Sequence, residues 1–216
     1  MKGGPLILSN NDTGTNETER HSPKALLMKV ATSLFAEKGY AGTSVREIVE
    51  KAGVTKPVLY YYFKNKEGIF LAALEEAYSE LEVLLARQLG SRGSFHDRIV
   101  AFSRQLYDLG MAHQDLNRMA QNLMFGPPKG APAYDFDRYQ ERTLHAIQAI
   151  YEQGLAKNEV KESDPEEVSF LVFGLLSFCF NLDCLHPETA DPERPMRLLR
   201  MALRGLENRN PFEDPV

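Results

Sequence analysis

The chain has 216 residues, 43% of them hydrophobic and 25% charged, with a formal net charge of -5. Such a chain can bury a core without staples, and a uniformly basic coat is excluded. Two cysteines, Cys179 and Cys184, cannot build a disulfide framework and point to a cytosolic setting. The longest near-apolar run, Phe170 to Phe180, has 11 residues, against about 20 for a membrane helix. The first twenty residues hold no extended apolar signal segment. A cytoplasmic location is expected, with no membrane span.

Residues 1–20, rich in Gly, Asn and Thr, lack helical periodicity and read as a flexible tail. Ser22 then caps a helix with Pro23 in its first position. Leu26, Leu27, Val30, Ala31, Leu34 and Phe35 recur every three or four residues along one face, and Gly39 ends the helix. Ser44 to Glu47 fits a capping box for a second helix, with Val45, Ile48, Val49 and Ala52 inward and Gly53 as its stop. Thr55 caps a third, with Pro57 tolerated in its first turn. Asn65 caps a fourth, from about Lys66, whose apolar stripe runs from Ile69 and Phe70 to Leu84, Leu85 and Leu89. At some 23 residues it should be about 35 Å long.

Helices follow over about 95–112, 115–124 and 135–157, with a Gly-Pro break at 126–130. Asp164-Pro165-Glu166-Glu167 is a strong helix start. Asp191-Pro192 or Pro195 opens the last helix, with Met196, Leu199, Leu203 and Leu206 on one face. No alternating strand pattern of useful length appears. The predicted fold class is all-α, with about nine helices.

Charge is uneven. Residues 21–70 hold eight Lys or Arg against four Asp or Glu, a net of +4, whereas residues 71–216 are net -8. Within the basic segment, residues 44–63 read SVREIVEKAGVTKPVLYYYF. Two short helices around a Gly-containing turn form a helix-turn-helix, a unit that places its second helix in the DNA major groove. Lys56, Pro57, Tyr60 and Tyr61 fall on the outer side of that helix, while Val58, Leu59 and Phe63 can face inward. Lys64 and Lys66 follow at once, beside a new helix N-terminus. Such groups suit contacts to phosphates and base edges.

Residues 39–70, GYAGTSVREIVEKAGVTKPVLYYYFKNKEGIF, resemble the signature of the tetracycline-repressor (TetR) family. The Gly-Tyr helix end, the Thr-Ser pair, Ala-Gly-Val at the turn, Leu-Tyr-Tyr-Tyr-Phe and Lys-x-Lys-Glu all fit without a gap. The resemblance covers residues 21–70; beyond them only helix number and length agree. It implies an N-terminal three-helix DNA-binding domain and a helical C-terminal ligand-binding and dimerisation domain. The expected division is a tail over 1–20, the DNA-binding domain over 21–81, and the body over 82–216, with the fourth helix shared. It further implies a homodimeric repressor on a palindromic operator, released when a small molecule in the body moves the fourth helix. An architectural DNA-binding protein of the same fold, indifferent to ligands, is the alternative. Carried over by position, Thr43 and Ser44 cap the second helix beside the DNA backbone and Arg46 sits where some members touch a base. Thr55, Lys56 and Pro57 open the recognition helix. Tyr60, Tyr61, Tyr62, Lys64 and Lys66 take base- or phosphate-contacting places.

Recognition helices in successive major grooves lie about 34 Å apart, so dimerisation must come from the body. The run 170–180 is apolar almost all round, so one side can face its own core and the other a second copy. The homodimer interface is expected over 165–185 and 195–208. Phe102, Tyr107, Met111, Met119, Leu123 and Tyr139 are the candidate ligand contacts, because Met and aromatic side chains suit adaptable apolar pockets. His113, His145, Arg104 and Gln121 could orient a polar group. The spacing of Cys179, Cys184 and His186 fits no tight zinc pattern. No catalytic motif appears, so neither a cofactor nor an enzymatic activity is expected.

Overall fold

The computed structural model describes residues 22–88, 92–125 and 130–206, with only the backbone for residue 77 and residues 121–125. The predicted tail, the break at 126–129 and the end of the predicted interface at 207–208 lie outside the described residues. The helices are α1 (Pro23–Gly42), α2 (Val45–Ala52), α3 (Lys56–Phe63), α4 (Lys66–Gln88), α5 (Phe95–Ala112), α6 (Gln114–Phe125), α7 (Asp137–Ala156), α8 (Pro165–Leu185) and α9 (Arg194–Leu203), with a short 3-10 turn at Pro187–Thr189. Among the described residues the fold is all-α, as the periodicity predicts.

Local chemistry explains the helix starts. Ser22 Oγ accepts from the Ala25 amide at 3.1 Å, with Pro23 in the first turn of α1. Gly39, at φ 73°, breaks the path of α1 where the sequence predicts its end, and one further turn runs on to Gly42. Gly53, at φ 65°, supplies the left-handed step between α2 and α3 that only a residue without Cβ takes at no cost. Asn65 Oδ1 accepts from the Gly68 amide at 2.7 Å and so caps α4.

Two cores form. The first joins Leu27, Leu34 and Phe35 of α1, Ile48 and Val49 of α2, Leu59 and Phe63 of α3, and Ile69, Phe70 and Leu74 of α4. Phe35 and Tyr40 meet Phe70 edge-on at 5.1 and 4.9 Å. Leu26, expected on the inner face of α1, is exposed instead. The second core joins Leu84 and Leu85 of α4 with Phe95, Ile99 and Phe102 of α5, Ile147 and Tyr151 of α7, Val172 and Leu176 of α8, and Met196, Leu199 and Leu203 of α9. Helix α4 therefore reaches both cores from its two ends. Helix α6 joins the first core alone, with Met119 buried there and Leu116 packed against it.

Two details differ from the sequence reading. Helix α7 begins at Asp137 rather than Asp135, because Tyr134 and Phe136 turn their rings onto Tyr78 of α4. In α9 Met196, Leu199 and Leu203 of the predicted apolar face are buried in the chain's own core, and Leu206, beyond the helix end, packs partly buried against it, leaving Leu198 and Met201 outward. Helix α8 does have two apolar sides. Val172, Leu176 and Cys179 pack inward, while Phe170, Leu171, Phe178 (68% exposed) and Leu185 (72% exposed) face outward. By length and composition α8 could cross a membrane, with mean hydropathy 1.9. It also carries Asp183, buried and bound to Arg194 of α9 at 2.9 Å, and that ion pair joins it to its neighbour.

Candidate nucleic-acid interface and adjoining cavity

The helix-turn-helix is assembled from inside out. Leu59 and Phe63, one turn apart on α3, are buried, so Lys56, Pro57, Tyr60 and Tyr61 must point away from the core. All four are exposed, and Tyr61 is 81% exposed. Its ring meets Tyr62 edge-on at 5.0 Å. Tyr61 therefore adds nothing to the buried core, and α3 presents three neighbouring tyrosines, Tyr60, Tyr61 and Tyr62, on its exposed side. Thr55 precedes α3 with no side-chain cap bond and is exposed. Lys64 closes the helix at φ 63°, its side chain exposed.

Other predicted contacts are held more closely by the protein. Ser44 Oγ accepts from the Glu47 amide at 3.2 Å, and Glu47 accepts from the Ser44 amide at 2.9 Å, so the predicted capping box is present. Lys38 of α1 bonds the same carboxylate at 2.9 Å. These bonds hold the Glu47 carboxyl down at about 2, the Lys38 contact first among them. Arg46 reaches Glu50 at 2.6 Å yet stays exposed. Thr43 is buried, its hydroxyl donating to the Leu34 and Gly39 carbonyls at 3.2 and 2.9 Å. The Lys66 ammonium donates to the carbonyls of Tyr40 (2.8 Å) and Thr43 (3.0 Å) and lies 3.9 Å over the Tyr40 ring. Partial burial pushes its pKa down. Thr43 and Lys66 thus fasten the joint between α1, α2 and α4 from within. Sequence spacing does not reveal this, because the carbonyls Lys66 binds lie 26 and 23 residues away.

Beneath this unit is a cavity of about 400 Å³, walled by α4, α5, α6, α7 and α8 with Phe136. Of the predicted ligand contacts, Tyr107 and Tyr139 line it. Phe102 is buried in the second core and Met119 in the first; neither these two nor Met111 is on the wall. The Leu123 and Gln121 side chains lie outside the described residues. His113 lines the cavity, with Nε2 3.1 Å from Glu80. His145 is on a separate surface groove beside Glu166, and Arg104 pairs with Glu193 at 2.6 Å. Sequence reasoning missed Tyr78, which stacks on Tyr139 at 3.8 Å and lines the cavity from α4. Its position one turn below Leu74 was the available signal. Burial pushes the Tyr78 hydroxyl pKa up.

Burial likewise raises the Cys179 and Cys184 thiol pKa values, so neither is a poised thiolate. Among the described residues no cluster of three or more His, Cys, Asp or Glu could hold a metal.

Residues 27–73 match the model of the family described as bacterial regulatory proteins, tetR family. The chain is 24% identical over 186 residues to the uncharacterized HTH-type transcriptional regulator YhgD of Bacillus subtilis, spanning 85% of this chain and 96% of YhgD. It is 31% identical over 91 residues to the HTH-type transcriptional repressor NemR of Escherichia coli, a match to 42% of this chain and under half (46%) of NemR. The fold is shared with NalD, the secondary repressor of the MexAB-OprM multidrug efflux pump in Pseudomonas aeruginosa, at TM-score 0.61 and 19% identity over 89% of this chain and 98% of that one. A gamma-butyrolactone receptor aligns at TM-score 0.64 and 20% identity over 86% of this chain and 89% of that one. Through residues 27–73 the chain is thus similar to the tetR family of bacterial regulatory proteins, and over most of its length it shares a fold with NalD and the gamma-butyrolactone receptor.

Proposed function

We propose that the protein is a homodimeric repressor, cytoplasmic, which leaves a palindromic operator when a small, mostly apolar molecule fills its cavity. Residues 21–81 act as the reading domain and residues 82–216 as the sensing and pairing domain. The observation that carries this reading is the double placement of α4 and α6. Leu74 and Tyr78 of α4, and Leu116 and Ala120 of α6, line the cavity. Ile69 and Phe70 of α4 and Met119 of α6 lie in the core under the recognition helix. A molecule that spreads the cavity wall must push on both helices, and they carry the displacement to α3. Interiors are close-packed, so such a push is transmitted rather than absorbed.

Pairing rests on the outward apolar side of α8. Phe170, Phe178 and Leu185 are large, lie in one helix and are left exposed by the described residues. A second copy related by a two-fold axis covers the same residues with themselves. It sets the two α3 helices at the spacing of about 34 Å that successive grooves require.

The test is fluorescence anisotropy of purified protein on DNA from upstream of its own gene. Sequence preference, a steep salt dependence and a dimer by sedimentation are expected. A monomer that still binds its site tightly overturns the dimer reading. Binding that no cavity ligand alters supports the architectural alternative.

A further inference from the structure

The chemistry of the cavity wall narrows the class of molecule it accepts; this rests on the reading of the cavity as the effector site. Among the described residues, no Lys, Arg, Asp or Glu lines it. Its one imidazole, His113, faces Glu80, so any charge on that ring is already answered by the protein. A buried ion without a partner is strongly disfavoured, so this wall rejects carboxylates and ammonium groups alike.

The hydrogen-bonding groups are also biased. The Asn117 amide nitrogen donates to the carbonyls of Gly110 (3.0 Å) and His113 (3.3 Å). Two carbonyls fix which end of the amide faces them, and the Asn117 carbonyl oxygen is the part left over. The Tyr107 hydroxyl gives its proton to Asp183 at 2.5 Å, and Asp183 is held in turn by Arg194. A hydroxyl whose proton is committed can only accept another bond. Thr143, also on the wall, donates its proton to the Tyr139 carbonyl at 2.9 Å. Three polar groups have thus spent their donors on the protein and keep acceptor capacity. Ser177, Gln140, Asn181 and the hydroxyls of Tyr78 and Tyr139 add neutral hydrogen-bonding groups but no charge.

We infer that the cavity selects an uncharged, mainly apolar ligand bearing a hydrogen-bond donor, such as a phenol or alcohol, and discriminates against anionic and cationic analogues of the same size.

The experiment uses the full chain and four probes of one shape: para-butylphenol, para-butylanisole, para-butylbenzoate and para-butylbenzylamine, titrated by calorimetry near neutral pH. The phenol should bind about tenfold or more tightly than the benzoate and the benzylamine. It should bind several-fold more tightly than the anisole, which lacks the donor. Asn117→Leu, checked for folding by circular dichroism, should narrow the phenol-to-anisole gap; the wild-type panel decides alone if that variant does not fold. Equal binding of the benzoate or benzylamine overturns the inference and leaves the effector reading standing. Anisole binding as well as phenol overturns the donor requirement. No binding by any probe removes both the inference and the effector reading. Phenol binding that leaves DNA affinity unchanged supports the inference and removes ligand-controlled release.

Discussion

The recognition unit and the cavity differ in the distance over which their parts are brought together. In the unit, Ser44 and Glu47 cap a helix three residues apart, Gly53 makes the turn, and Leu59 and Phe63 face inward four residues apart. The cavity wall runs from Leu74 to Asn181 and draws on five helices. A short, locally coded unit tolerates little change, since each residue has a fixed job within one or two turns. A wall collected from distant segments can exchange side chains one at a time and so change its ligand without disturbing the reading head. The family match falls on residues 27–73, within the first kind of region.

The largest effect should come from a cut through the first core. Phe35 is fully buried between α1 and α4 against Phe70. Phe35→Ala should cost about 3–5 kcal/mol. If the two regions are as separate as their cores, DNA binding is lost while thermal melting still shows a folded body. A single cooperative loss of both would break the comparison.

Met119→Ala addresses the joint. Met119 sits on α6, between a cavity-lining neighbour and the first core. Truncation should cost about 2 kcal/mol or more in stability. Its diagnostic effect is on coupling: the ratio of DNA affinities with and without a cavity ligand should fall toward one, while each ligand alone still binds. An unchanged ratio would assign transmission to α4 alone.

Tyr61→Ala should change binding and leave folding alone. Its ring is almost fully exposed, so the melt should move by no more than about 0.5 kcal/mol. Loss of a base-edge contact should cost about 1–3 kcal/mol of operator discrimination. A collapsed melt would make Tyr61 part of the core.

Legibility in the sequence follows the same divide. The capping box, the left-handed Gly53 and the outward face of α3 depend on residues within a few positions, and all were readable. Lys66 was not. A lysine beside a helix start looks like a phosphate ligand, but its ammonium is taken by two carbonyls that only the folded chain brings near. Phe102 and Met119 have the right chemistry for a pocket, yet helical phase turns them into cores on either side of it. The apolar face of α9 was read correctly as a face, but periodicity does not say whether a face meets its own chain or another.

The smallest effect tests how far local coding reaches. Glu47 is only partly exposed, and its carboxyl is held near 2 against an ordinary 4.5, by Lys38 and by the Ser44 amide and hydroxyl. A carboxyl that prefers its ionised form when folded adds stability above pH 4.5, and that contribution fades as pH falls toward 2. The Lys38 contact joins α1 to the start of α2, so protonation loosens the first core and not the second. Glu47→Gln keeps the size of the side chain and removes its charge. The variant should melt slightly lower at neutral pH, and its stability should change less than that of the wild type across the acid range. The whole difference should vanish from any signal reporting only the body. Because the pair is partly exposed, added salt should shrink the difference further. A salt-independent difference would mean that the capping bonds, not the Lys38 charge, hold the Glu47 carboxyl down.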